Sequence, residues 1–381
     1  MRQVFTGAAV FDGAALHHHA ALVIDGECVA GIFPEDAAPQ GARVALGGGV
    51  LAPGLLDLQV NGGGGVMFGA APDAIATMLR AHAGLGTTGV MPTLITDTPD
   101  VTRAALAQGI AAATAALPGF LGLHLEGPHL DPRRKGAHDP ALIRPMQADD
   151  LTALCDAAQT LPALMVTLAP ESVTLEQIAT LSRAGVIVFL GHSECDCATA
   201  KAAFGAGARG VTHLFNAMSG LSHRAPGLVG AALDTPGAYA GVIADGVHVV
   251  PEALRVALAA KRGGGLFLVT DAMAVAGSDA AEFIHQGRTI QRRDGRLTLP
   301  DGTLAGADCT LPGAIAFLVS LGVGRETALS MATSVPAALI GAQDRGHLRP
   351  GARADLVHLA DDMGLQGVWQ GGAKIAGYPF Q

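Results

Sequence analysis

The feature that most constrains this chain is the alternation of short, nearly continuous apolar runs with Ala- and Leu-rich stretches of helical length. The apolar runs are residues 54–59, 89–93, 119–125, 163–168, 186–191, 210–213, 238–244 and 266–270. Helices are predicted between and after them, at residues 72–84, 99–116, 148–160, 175–184, 197–204, 251–261 and 312–323. Apolar runs bounded by turns are typical of strands buried on both faces, and strand–helix alternation indicates a parallel sheet. Eight such units predict a (β/α)8 TIM-like barrel, with a doubly wound open sheet as the alternative.

The two ends of the chain carry a different pattern. Residues 1–52 hold short alternating runs punctuated by turn signals, as at Phe11-Asp12-Gly13 and Ile24-Asp25-Gly26, and residues 345–381 have the same character. Each end alone is too small to bury a core. We therefore predict one small β-sandwich domain built from residues 1–52 and 345–381, and a barrel domain over residues 53–344.

Composition argues against several classes of protein. The formal net charge of −9 and the aromatic content of 4% argue against nucleic-acid binding, which needs a cationic face or exposed stacking rings. The apolar stretches are short and broken by Pro, Gly or charge, so we predict no membrane span. The five cysteines are an odd number, and the N-terminus lacks a basic leader with an apolar core. These features predict a cytoplasmic protein without a disulfide framework.

Polar side chains gather where the predicted strands end. Six of the eight strands are followed by such residues, which are Asp57, Gln59, Asn61, His124, Glu126, His129, His192, His213, Asn216, Asp245, His248 and Asp271. In barrels of this kind, the active site lies at the carboxyl ends of the strands. Burying so many polar groups without a shared partner would be costly, so we expect them to surround one site.

A divalent cation would satisfy Glu126, His192 and His213 together. One carboxylate and two imidazoles leave a coordination position for water, as in a catalytic zinc site and unlike a closed structural one. Zinc suits this ligand set best, and Fe, Co or Mn are also compatible with it. Asp271 suits a proton shuttle, because a carboxylate can take a proton from the attacking water and pass it to a leaving nitrogen.

The strand-end motifs resemble those of the amidohydrolase superfamily and, within it, of the N-acetylglucosamine-6-phosphate deacetylase family. The resemblance covers nearly the whole chain in the right order, through residues 53–62, 92–96, 122–128, 135–138, 167–171, 191–193, 212–218, 224–228, 244–248, 269–272 and 302–306. Its most specific segments are His124-Leu125-Glu126-Gly127-Pro128 and Ala244-Asp245-Gly246-Val247-His248. The resemblance implies hydrolysis of N-acetylglucosamine 6-phosphate to glucosamine 6-phosphate and acetate.

The resemblance also implies a role for each matching residue. Glu126, His192 and His213 would hold one divalent metal ion, Asp271 would be the catalytic acid and base, and His138 would polarise the acetamide carbonyl. Substrate contacts would come from Gln59, Ala137, His138, Asn216, Ala217, Arg224, His248, Ala305, Gly306 and Ala307. In this family the phosphate contacts involve a neighbouring subunit, so a homodimer is expected.

One segment departs from the pattern common among amidohydrolases. Many members carry His-x-His at the end of the first strand, where it holds a second metal, whereas this chain has Gln59-Val60-Asn61. Amides are poor ligands for a borderline cation, so we predict one catalytic metal per chain.

Two other functions stay open from the sequence alone. A different amidohydrolase, acting on a related acetylated amino sugar or a cyclic amide, would need neither Arg224 nor His248 for a phosphate. A catalytically silent sugar-phosphate sensor would need no proton shuttle, so the presence of Asp271 argues against it.

Overall fold

The computed structural model describes residues 1–261 and 264–375 and has an eight-stranded parallel barrel at its centre. Barrel strands one to eight are Leu55–Val60, Thr87–Ile95, Leu123–Glu126, Leu164–Leu168, Ile187–Leu190, Gly210–Val211, Tyr239–Val242 and Leu266–Leu268. Each strand pairs with the next in chain order, without the reversal of strand order that a doubly wound sheet requires. The predicted (β/α)8 barrel is confirmed.

The barrel closes between its first and last strands through a short seam. Asp271 N donates to Gln59 O over 3.0 Å, Asn61 N donates to Ala272 O over 2.8 Å, and Val60 forms a parallel bridge with Ala272. The seam lies at the carboxyl ends of the strands. Barrel closure therefore brings the segment around Asp271 beside the segment around Asn61.

The predicted helices surround the barrel with small shifts at their ends. They are Ala74–Gly84, Pro99–Thr114, Ala148–Ala158, Leu175–Arg183, Cys197–Gly205, Pro251–Ala260 and Leu311–Ser320. The start points of several helices are marked in the sequence, because the side chains of Thr98, Thr174, Asp196 and Thr310 accept hydrogen bonds from N–H groups of the first turn. The structure adds the unpredicted helices Gly227–Asp234, Arg325–Ser330 and Ser334–Ile340, and the 3-10 turns Glu35–Ala37 and Pro132–Arg134.

The two ends of the chain share a sheet. One sheet contains Arg2–Thr6, Ala20–Asp25, Cys28–Pro34 and Ala42–Ala45, and the other contains Ala9–Phe11, Leu16–His17, Val50–Pro53, Leu356–Leu359, Leu365–Gln370 and Ala373–Lys374. In the second sheet Val50–Pro53 runs antiparallel to Leu356–Leu359. The exact bounds of the small domain stay a prediction, and its last six positions, 376–381, lie outside the described residues.

An antiparallel sheet that the sequence did not predict follows the last barrel strand. Its strands are Glu282–His285, Arg288–Arg293, Arg296–Thr298 and Leu304–Ala307, and a small hairpin joins Gly62–Gly63 to Val66–Met67. Its buried side chains, including Ile290 and Leu297, form one core with Met273 and Val275, which directly follow the barrel seam. The inserted sheet therefore covers the carboxyl end of the barrel.

Among the described residues, no helix combines the length and the apolar character needed to cross a membrane. The cytoplasmic location expected from the sequence stays a prediction.

The shared core of the two chain ends generates a stability prediction. Phe5 and Trp369 are almost completely buried and meet edge to face, with ring centroids 5.2 Å apart. Trp369→Ala removes this contact and leaves a cavity, so we expect a loss of about 3–5 kcal/mol in the free energy of unfolding, measured by urea denaturation. Ile284→Ala is the control, because Ile284 is 74% exposed and its loss should cost less than about 0.5 kcal/mol. A loss at Trp369 no larger than the control's would contradict a common core.

Candidate active site

Three ligand-type side chains converge at the carboxyl end of the barrel. Glu126 ends the third strand, and His192 and His213 follow the fifth and sixth. Glu126 Oε1 lies 3.1 Å from His192 Nε2 and 2.9 Å from His213 Nε2, and the two Nε2 atoms are 3.1 Å apart. All three side chains are buried. They form the one group of metal-ligating residues found in the described part of the chain.

The hydrogen bonds around His192 determine which ring nitrogen faces this point. Its Nδ1 donates to the backbone carbonyl of Arg134 over 2.7 Å, so a neutral ring presents the lone pair of Nε2 to Glu126 and His213. Burial alone would raise the pKa of Glu126, but the adjacent imidazoles of His192 and His213 hold it well below its usual value. An ionised carboxylate and imidazole nitrogens directed at one point fit a divalent cation.

The residues that form this site have strained backbones. His192, His213 and Asp271 have φ values of 48°, 33° and 52°, and Phe215 and Ala217 are also left-handed. Residues other than glycine adopt this region rarely, at a cost of about 1–3 kcal/mol each. Such residues cluster where the surrounding structure fixes the direction of a functional side chain. Here each of them lies within a few residues of the end of a barrel strand.

Asp271 lies beside the cluster and is held by two amides. Its Oδ1 accepts hydrogen bonds from Asn61 Nδ2 at 2.6 Å and Gln59 Nε2 at 3.2 Å. Gln59 Nε2 also lies 3.3 Å from Glu126 Oε2. Burial, together with the negative charge of Glu126, raises the pKa of Asp271 to about 6. A carboxyl group with this pKa can both accept and release a proton near neutral pH.

A second buried carboxylate supports Asp271 from within the barrel. Asp57 accepts hydrogen bonds from Thr270 Oγ1 at 2.5 Å, Thr270 N at 3.1 Å and Gln59 N at 3.1 Å. Burial raises its pKa to about 7. Asp57 therefore ties the first strand to the residue that precedes Asp271, and it lies outside the cavity lining.

His138 presents a hydrogen-bond donor next to the cluster. Its Nδ1 accepts a hydrogen bond from Thr96 N over 3.2 Å and lies 2.8 Å from Thr96 Oγ1, so the ring proton is on Nε2. Burial, and then the neighbouring His192, keeps the pKa of His138 well below its usual value. Thr96 belongs to a segment that carried the family resemblance, but no sequence pattern linked it to His138.

These groups line a cavity of about 260 Å³. Ten of the residues predicted for the site face it: Glu126, Ala137, His138, His192, His213, Asn216, Ala217, His248, Asp271 and Gly306. Asn61, one of the polar residues expected around the site, also lines it, as do Ile95, Met273, Thr303 and Leu304, which had no predicted role. Four predicted residues do not line it: Gln59 is buried behind it, Arg224 is exposed, and Ala305 and Ala307 have buried side chains.

A larger cavity of about 990 Å³ lies at the opposite end of the barrel, where Leu121 and Ala163 lead into the third and fourth strands. Among the described residues, no group of His, Cys, Asp or Glu side chains converges there. The chemistry therefore assigns the candidate site to the smaller cavity.

Comparisons with known proteins agree with this geometry. A model of the Amidohydrolase family matches residues 50–375. An N-acetylgalactosamine-6-phosphate deacetylase of Shewanella sp. (strain ANA-3) is 40% identical over 97% of this chain and 95% of that protein. An N-acetylglucosamine-6-phosphate deacetylase of Vibrio furnissii is 34% identical over 97% and 94%, respectively.

A solved structure extends the match to three dimensions. The crystal structure of N-acetylglucosamine-6-phosphate deacetylase from Pasteurella multocida is 34% identical and superposes with a TM-score of 0.94, covering 99% of this chain and 100% of that one. The resemblance predicted from the sequence is confirmed, and the chain belongs to the amidohydrolase family.

Proposed function

We propose that this chain hydrolyses N-acetyl-D-glucosamine 6-phosphate to D-glucosamine 6-phosphate and acetate. The observation that carries the proposal is the convergence of Glu126, His192 and His213 on one point, with the ionisable Asp271 beside them. Relatives named for this activity match almost the full length of the chain.

A second candidate substrate is N-acetylgalactosamine 6-phosphate. A relative named for that substrate shares 40% identity with the chain, against 34% for the relative from Vibrio furnissii. The two sugars differ only in the configuration of the C4 hydroxyl. A single hydroxyl contact in the cavity would therefore decide between them.

Glu126, His192 and His213 would hold one divalent cation, with zinc as the ion that suits the ligand set best. When bound, the cation would supply Lewis-acid chemistry at this point, lowering the pKa of water so that a nucleophile forms near neutral pH. The amides of Gln59 and Asn61 donate to carboxylates, an orientation that supports one ion per chain and not two.

Asp271 transfers the proton during the reaction, and His138 stabilises the negative charge that develops on the acyl oxygen. Asn61 and Gln59 hold Asp271 Oδ1, and Oδ2 has no hydrogen-bond partner among the described residues, so Oδ2 can take a proton from the attacking water. The C–O bond forms while Nε2–H of His138 donates to the acyl oxygen, which gains negative charge. Asp271 then returns the proton to the amine nitrogen as the C–N bond breaks, releasing acetate.

The sugar and its phosphate would be held by Asn216, Ala217, His248 and Gly306. Ala305 and Ala307, with buried side chains, would offer only backbone groups. In the described part of the chain no Lys or Arg lines this cavity, although a phosphate needs cationic partners. Arg224 is exposed, which supports a homodimer in which Arg224 of the partner subunit completes the site.

The direct test of the function is acetate release by the purified, metal-loaded protein. We expect turnover of N-acetylglucosamine 6-phosphate with a higher kcat/KM than for N-acetylgalactosamine 6-phosphate, and much weaker turnover of unphosphorylated N-acetylglucosamine. The reverse order of the two phosphates would select the second candidate. Release from neither phosphate would contradict both and favour a cyclic-amide hydrolase or a sugar-phosphate sensor.

Asp271→Asn tests the proton shuttle. The amide keeps the shape of the side chain and can still accept from Asn61 and Gln59, but it cannot take a proton. We expect kcat to fall by about 10²–10⁴-fold. Metal content and the affinity for glucosamine 6-phosphate, measured by calorimetry, should stay near the wild-type values. Asp234→Asn, on the exposed end of a helix, is the matched control, and near-normal turnover of Asp271→Asn would refute the assignment.

Arg224→Ala tests the shared site by complementation. Co-expressing Arg224→Ala and Asp271→Asn chains with different tags yields heterodimers in which one site has both Asp271 and Arg224 of the partner subunit. We expect each parent to be poorly active and the purified heterodimer to recover about half the wild-type rate. A heterodimer no more active than its parents would show that Arg224 does not act across the interface.

A further inference from the structure

A tight turn after the seventh barrel strand joins a buried carboxylate to one of the cavity histidines. The strand is Tyr239–Val242, and Asp245 and His248 follow it. Asp245 Oδ1 accepts hydrogen bonds from the backbone N–H groups of Val247 and His248, each over 2.8 Å. Asp245 Oδ2 lies 2.6 Å from His248 Nδ1. Both side chains are more than nine-tenths buried.

The charge state of Asp245 determines which ring nitrogen of His248 carries a proton. Burial alone would raise the pKa of Asp245, but hydrogen bonds from the His248 ring and from two backbone N–H groups hold that pKa below its usual value. An ionised carboxylate can only accept, so Nδ1 of His248 carries a proton. Nε2 of His248 has no hydrogen-bond partner in the part of the chain that the structure describes, and the residue lines the cavity.

The turn itself cannot relax easily. Gly246 has a φ of +73°, and a Cβ atom there would lie 2.9 Å from the ring of Phe317, on the helix Leu311–Ser320. The left-handed conformation and this contact together require glycine at position 246. The backbone and the carboxylate thus hold the imidazole in one place and one orientation.

We propose that Asp245 is a positioning residue for the phosphate end of the substrate, acting only through His248. It holds the ring with Nε2 directed into the cavity and offsets the positive charge of the ring when Nε2–H donates to a phosphate oxygen. The inference rests on the proposed function, because it needs a phosphorylated substrate in this cavity.

Asp245→Asn separates this role from a structural one. The Asn oxygen still accepts from the two backbone N–H groups of the turn, but its NH₂ group replaces the oxygen that accepts from His248. The His248 ring must then move its proton from Nδ1 to Nε2, or lose its hydrogen bond to residue 245. The negative charge next to the ring is also removed. The hydrogen bonds of the turn are therefore kept, whereas the side chain at position 245 donates to His248 instead of accepting from it.

The test is steady-state kinetics with phosphorylated and unphosphorylated substrates. For N-acetylglucosamine 6-phosphate we expect Asp245→Asn to raise KM by about 10- to 100-fold while kcat stays within about twofold. For unphosphorylated N-acetylglucosamine, kcat/KM should match the wild type. In the His248→Gln background, Asp245→Asn should have no further effect, because its partner is already absent.

The chain provides a matched control at Asp12. Its Oδ1 accepts from the N–H groups of Ala14 and Ala15 at 2.8 Å each, and its Oδ2 lies 2.7 Å from His17 Nε2. This Asp–His pair is bonded in a similar way, through Nε2 of the histidine instead of Nδ1, and its aspartate lies in the turn between the strands Ala9–Phe11 and Leu16–His17, outside the cavity lining. Asp12→Asn should therefore leave the kinetics with both substrates unchanged.

If the wild type turns over the phosphorylated substrate, three results would overturn the inference about Asp245 without affecting the proposed function. These are an unchanged KM in Asp245→Asn, an equal loss with both substrates, and additive effects in the double variant. Failure of the wild type to release acetate from either hexosamine phosphate would overturn the proposed function, and this inference with it.

Discussion

The structure depends on holding a carboxylate and two imidazoles within about 3 Å of one another in a buried cavity. Removing an ionised carboxylate from water costs several kcal/mol unless opposite charge and hydrogen bonds compensate. Glu126 finds this compensation in His192 and His213, and a cation at their meeting point would increase it. A cluster with this cost persists where function requires it, which makes it the most informative feature of the chain.

The barrel supplies the rigidity that such a cluster needs. His192, His213 and Asp271 hold left-handed backbones that only a well-packed framework can enforce. The seam between the first and last strands contributes directly, because Asp57 anchors Thr270 and so places Asp271 next to Glu126. The inserted sheet packs over the same end of the barrel through the core that contains Met273. The contacts that stabilise the barrel and the residues of the candidate site therefore lie together at the carboxyl ends of the strands.

Much of this arrangement could be predicted from the sequence, because continuous apolar runs identify buried strands. The first strand was predicted at residues 54–59 and lies at Leu55–Val60, and the polar residues after the strands converge because parallel strands end at one edge. The strand Arg288–Arg293 escaped prediction, since its arginines and glutamine carry no continuous apolar run. The helix Gly227–Asp234 was missed because its almost uniformly buried, Gly- and Ala-rich sequence lacks an amphipathic stripe.

The finer features of the site depend on contacts between distant parts of the chain. The Arg134 carbonyl sets the tautomer of His192, and the Thr96 amide sets that of His138, and neither partner is suggested by a side-chain motif. Arg224 was predicted to bind phosphate, yet within one chain it is exposed and does not line the cavity. The one-metal prediction came from the amides of Gln59 and Asn61 in place of His-x-His, and the structure adds that both amides donate to carboxylates.

We propose that three side chains at the carboxyl ends of separate strands hold a single cation. Anomalous diffraction from zinc-loaded crystals, recorded on both sides of the zinc absorption edge, tests it most directly. We expect one strong peak within coordination distance of Glu126, His192 and His213. A peak of equal height beside Gln59 and Asn61, or no peak among the three ligands, would contradict it.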